Sequence, residues 1–108
     1  MTVKQLSEAE GFSPVTLSYP DREIQGAYVG DLLSWVMGRC SSGNAWITIM
    51  SNTNVLAVAS LTDVSCVVLA EGVTLDTETI ALAESKEINV ISSSYSAYEC
   101  AVFLSKGL

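Results

Sequence analysis

From Ala45 onward the chain alternates between short apolar runs and helix-length segments, and this alternation constrains its fold more than any other feature. Ala45–Met50, Ser65–Leu69 and Ile88–Ser92 are rich in Val, Ile and Leu and carry few polar residues. Strands of that kind belong to a parallel sheet covered on both faces by crossover helices. Between them, the composition of Val55–Leu61 fits either a buried strand or a buried helix. Connection length favours helix, because residues 51–64 are about as long as a parallel crossover requires. Further helices follow at about Asp76–Ser85, where Asp76 and Glu78 suit a positive helix N-terminus, and at Tyr95–Ser105.

The first half adds a short helix over Thr2–Glu10, with Thr2 and Gln5 spaced for a capping box. Strands are expected at Val15–Tyr19 and Glu23–Val29, joined at Pro20-Asp21 as an antiparallel pair, with Gly26 as a bulge or close contact. A helix at Asp31–Met37 lies between Gly30 and Gly38. The expected architecture is one α/β domain over residues 1–108. It is a three-layer α/β/α sandwich with a mixed, mainly parallel sheet of about five strands, in which the three apolar runs are neighbours.

Charge and composition then remove function classes. Twelve acidic and five basic residues give a net charge of −7, which opposes both nucleic acid and an anionic membrane surface. The longest uncharged stretch, Cys40–Thr62, holds too many Ser, Thr and Asn residues for a membrane span. Met1–Glu8 lacks the apolar core of a signal peptide. Cys40, Cys66 and Cys100 are an odd, widely spaced set that suits a reducing compartment and buried thiols, so a cytoplasmic setting is expected. Histidine is absent, and so are P-loop and zinc-binding spacings. The expectation is a non-enzyme with no metal or cofactor, with a small enzyme as the minor alternative.

The stretches Gly26–Gly38, Asn54–Leu61 and Ser96–Glu99 together resemble small clostridial proteins of the DRTGG-domain type. The resemblance runs from about Leu17 to the end. These proteins are similar in turn to the N-terminal domain of HPr kinase/phosphorylase and, in fold, to that of Mur ligases. The resemblance implies a regulatory or ligand-sensing domain acting beside other proteins, and it names no ligand. Where the family is named for Asp-Arg, this chain reads Ser51-Asn52-Thr53-Asn54, and where it is named for Thr-Gly-Gly it reads Ala70-Glu71-Gly72.

In open α/β sheets ligands bind beyond the C-terminal ends of the strands. Three loops are expected there: Asn52, Thr53 and Asn54; Glu71 and Gly72; and Ser92, Ser93 and Ser94. Each fits two readings, a site for a small polar or phosphorylated ligand, the latter weakened by the lack of nearby Lys or Arg, or a set of helix caps in a purely structural assembly module. Asp31 fits either a ligand contact or a helix-dipole complement. Arg22 is a candidate for mutation, against the reading of a surface ion pair. Trp35, Trp46, Tyr28, Tyr95 and Tyr98 read as core or interface rather than as a stacking platform. The helix at about Asn54–Leu61 is apolar almost all round, which implies cover on two faces, by the sheet and by a second copy in a homodimer. A partner protein is the other expected contact.

Overall fold

The computed structural model describes residues 1–108. The elements are α1 (Val3–Ser7), β1 (Phe12–Thr16), β2 (Gly26–Val29), α2 (Leu33–Arg39), β3 (Asn44–Thr48), α3 (Asn54–Thr62), β4 (Cys66–Leu69), α4 (Thr77–Ser85), β5 (Val90–Ser93) and α5 (Ala97–Gly107). They build one five-stranded sheet in the order β1-β5-β4-β3-β2. β2, β3, β4 and β5 are parallel, and β1 runs antiparallel to β5. The sheet is therefore mixed and mainly parallel, and the three apolar runs are neighbours as their patterning predicts. Residues 55–61 are helical, as the crossover length requires. No helix is long and apolar enough to cross a membrane.

Alternate strand residues feed two cores. On one face Trp46, Val67, Leu69 and Val90 meet α2, α3 and α4 through Val36, Leu56, Val58 and Ala83. On the other, Ala45, Ile47, Val68 and Ile91 meet α1 and α5 through Leu6, Cys100 and Leu104. Trp46 is the largest wholly buried side chain, and its Nε1 donates to the Gly30 carbonyl at 2.9 Å, so the indole is both packed and satisfied. The capping box is present at Thr2/Gln5, and a second stands at Ser96/Glu99.

Two expectations are corrected, and a third is narrowed to one of its two readings. β1 and β2 are not an antiparallel pair, because they lie at opposite edges of the sheet. β1 ends at Thr16, and residues 17–25 cross the N-terminal end of the sheet instead of turning back. Pro14 has no N–H to give a central ladder, and it sits on an edge strand where the register shifts beside it. At Gly26 the ladder is regular, so of the two readings there the close contact holds and the bulge does not: a Cβ would lie 2.9 Å from Asn44 Oδ1. The second correction is at α3, where the sequence predicts that a second copy covers an all-round apolar helix. Within the chain α2 packs beside α3, and Val58 is buried, so the exposed face of α3 is left to Ala57, Ser60 and Leu61.

Candidate functional site at the C-terminal ends of β4 and β5

The loops after β4 and β5 are fastened to each other by backbone bonds. Glu71 N donates to Tyr95 O and Gly72 N to Ser93 O, both at 2.8 Å. Antiparallel pairing brings the start of β1 alongside, where Ser94 N and Ser93 Oγ both donate to Gly11 O, at 3.3 and 2.8 Å. Gly11 has φ +87, and a Cβ there would fall 2.3 Å from the Tyr95 ring, so no other residue lets the ring close over this turn. Tyr95 also packs edge-on to Phe12, with centroids 5.5 Å apart.

These three loops enclose an open cavity of about 340 Å³, lined by Gly11–Ser13, Gly72–Thr74 and Ser92–Ser94. The hydroxyls of Ser13, Thr74 and Ser94 are exposed and make no hydrogen bond within the chain. No Lys or Arg lines the cavity. Glu71 precedes it with φ 61, a left-handed conformation unusual for a side chain of that size.

Of the residues singled out in the sequence, Gly72, Ser92, Ser93 and Ser94 meet in this cavity. Ser93 is already spent, accepting from Tyr95 N while donating to Gly11 O. The Asn52–Asn54 loop lines no cavity, and Asn52 Oδ1 accepts from Asn54 N at 3.0 Å in a local turn that leads into α3. Neither Asn52 nor Asn54 is the α3 cap; Thr53 holds that position without a side-chain bond. Ser96, not Ser94, caps α5. Asp31 is a brace: one carboxylate oxygen accepts from Thr48 Oγ1 at 2.7 Å and from Ile49 N at 3.0 Å, tying the end of β3 to the turn before α2. Gly11, Ser13 and Thr74 were not legible as site residues, because only the β1–β5 pairing brings the first two there.

Depressions also flank residues 18–22 at the opposite end of the sheet. Their polar side chains bond one another: Arg22 Nη1 donates to Asp63 Oδ1 at 3.0 Å, Arg22 Nη2 to Asp63 O at 2.8 Å, and Tyr19 to Glu87. The Arg22 guanidinium, and then the Ser42 hydroxyl, hold the Asp63 carboxyl below its usual range. Arg22 thus does more than form a surface pair, since it adds a second donor to the Asp63 carbonyl, which also accepts from Gly43 N at 2.9 Å. The thiols offer no nucleophile. Burial pushes Cys66 up to about 12 and raises Cys40 and Cys100 as well. Arg39 does not activate Cys40; its guanidinium lies 3.7 Å over the Trp35 ring.

No curated protein matches the chain. Among solved structures it is similar to the crystal structure of the CBS and DRTGG domains of the regulatory region of Clostridium perfringens pyrophosphatase, complexed with the activator diadenosine tetraphosphate. The two share 16 % identity at a TM-score of 0.76, over 99 % of this chain and 47 % of that one, so this chain spans about half of that crystallised region. This likeness is one of fold. Residues 22–106 match the DRTGG domain, and the chain therefore belongs to the DRTGG domain family.

Proposed function

We propose that this chain is a non-catalytic regulatory module that senses a small polar ligand at the C-terminal ends of β4 and β5 and acts through contacts with other protein chains. The observation that carries the reading is the strand-end cavity, where Ser13, Thr74 and Ser94 offer hydroxyls without partners on loops already bolted together. A site of that build costs little ordering when a ligand enters. The occurrence of the family in a pyrophosphatase's regulatory region supports the regulatory half. With Glu71 beside the cavity and no cation lining it, the chemistry favours a neutral hydroxyl- or amide-bearing compound over a phosphorylated one. Three free thiols fit a reducing compartment, and in this reading the module works in the cytoplasm.

A thermal-shift panel of sugars, polyols, nucleosides, nucleotides and diadenosine tetraphosphate tests this. A ligand at one hundred times its Kd stabilises the native state by about 2.7 kcal/mol. The expected result is a shift from a neutral compound that disappears in the Thr74→Val, Ser94→Ala double variant. Shifts confined to phosphorylated compounds overturn the ligand class. A flat panel favours a second reading, an assembly module without a ligand, which the helix caps at Asp76 and Ser96 support.

A further inference from the structure

The two edges of the sheet are built differently. The β1 edge carries Pro14 and a register shift, devices that discourage strand addition. The β2 edge carries neither Pro nor Lys. Gln25 N donates to Gly43 O of the neighbouring segment, and strand alternation from that bond leaves the peptide groups of Gly26 and Tyr28 facing outward.

The surroundings of that edge are equally distinctive. Val29, Leu32, Trp35, Met37 and Ile49 are about half exposed, from 47 % to 58 %, although all are large and apolar. The Asp31 brace to Ile49 N holds the start of α2 against the end of β3, and Leu32 and Trp35, three residues apart, share one side of α2, with Met37 on another. Between Ile24 and Thr62 the only charges are Asp31 and Arg39, which cancel, and the whole excess of −7 lies elsewhere in the chain.

We infer that this edge binds a second copy of the chain, with β2 pairing antiparallel to its twin about a twofold axis. It deepens the protein-contact half of the proposed function and is independent of the ligand half. Charge selects the occupant. Two chains of −7 repel wherever their acidic surfaces meet, and this neutral edge is where they approach without that cost. A twofold axis also makes one strand edge complementary to itself. Four residues of strand supply few hydrogen bonds, so Leu32 and Trp35 must provide much of the buried area. An interface of at least ~1,000 Å² in total is required.

Sedimentation equilibrium at about 50 µM, where a micromolar dimer is largely assembled, reads the result as mass. The wild-type chain should weigh twice its 11.5 kDa. Val29→Lys with Trp35→Lys should sediment as a monomer, while Ala81→Lys, on the exposed face of α4, should remain a dimer. Hydrogen exchange gives a second reading without any substitution: the Gly26 and Tyr28 amides should exchange more slowly at high than at low concentration. A wild-type monomer overturns the inference, as does a dimer that survives both lysines. A concentration-independent exchange rate at those two amides does the same. None of these outcomes bears on the thermal-shift panel, so the ligand reading stands or falls separately.

Discussion

The two ends of the sheet are both polar, yet they use their polar groups in opposite ways. At the N-terminal end, Asn89 is buried and fully engaged. Its Nδ2 donates to Tyr19 O at 2.9 Å and Ser65 O at 3.0 Å, while Oδ1 accepts from Tyr19 N at 2.9 Å. Arg22, Asp63, Ser42, Tyr19 and Glu87 complete a closed set of bonds around it. At the C-terminal end the backbone is equally well tied, but the hydroxyls of Ser13, Thr74 and Ser94 point to no partner in the chain. Density of polar residues therefore does not by itself mark a site in this fold; the proposed site rests on spare hydrogen-bonding capacity on a rigid frame. The first end holds residues 17–25 across the strands, and the second is free to recognise something.

Substitutions at the two ends should separate these roles. The largest effect is expected for Asn89→Leu, which leaves Tyr19 N and Ser65 O unpaired, while Tyr19 O keeps Arg22 N, and should cost about 3 kcal/mol in urea unfolding. Ligand shifts should persist in that variant at temperatures where it is folded. Arg22→Ala should cost at most about 1 kcal/mol, because it removes an exposed ion pair and one of the two donors to Asp63 O. Its pH dependence carries a definite sign. In the folded chain the Asp63 carboxyl lies below its unfolded value, so its contribution is present above the usual Asp range and is lost as pH falls through the folded value. The stability gap between wild type and Arg22→Ala should therefore narrow on acidification, and a gap that widens would reverse the assignment. The smallest change in stability is expected for Thr74→Val and Ser94→Ala, within about 0.5 kcal/mol. A larger loss there would mean that the open end is structural after all.

What could be read from the sequence follows the range of the interactions. The three apolar strands, the helices between them and the Thr2/Gln5 box depend on local patterning, and each is where the sequence places it. The position of β1 depends on partners such as Ile91 and Ser93, far away in the chain, and no turn signal encodes that. Pro20-Asp21 looks like a hairpin turn locally, but the Asn89 clamp makes it part of a strap. The same limit governs the site. Ser92–Ser94 and Gly72 stand out because strand ends collect ligands in this class of fold. Ser13 enters only through the antiparallel β1–β5 ladder. Asp31 and Asn52 carry suitable chemistry, but Asp31 Oδ1 and Asn52 Oδ1 are used to hold local turns, and the Asn52–Asn54 loop lines no cavity.

The central claim is that the strand-end cavity recognises a ligand, and amide chemical-shift mapping during titration with the compound that gives the largest thermal shift tests it most directly. The account predicts perturbations concentrated in Gly11–Ser13, Gly72–Thr74 and Ser92–Ser94, saturating together with one Kd, while the amides of Tyr19, Arg22 and Asn89 stay fixed. Perturbations centred on Asn52–Asn54 or on the Arg22–Asp63 end, with the cavity amides unmoved, would contradict it.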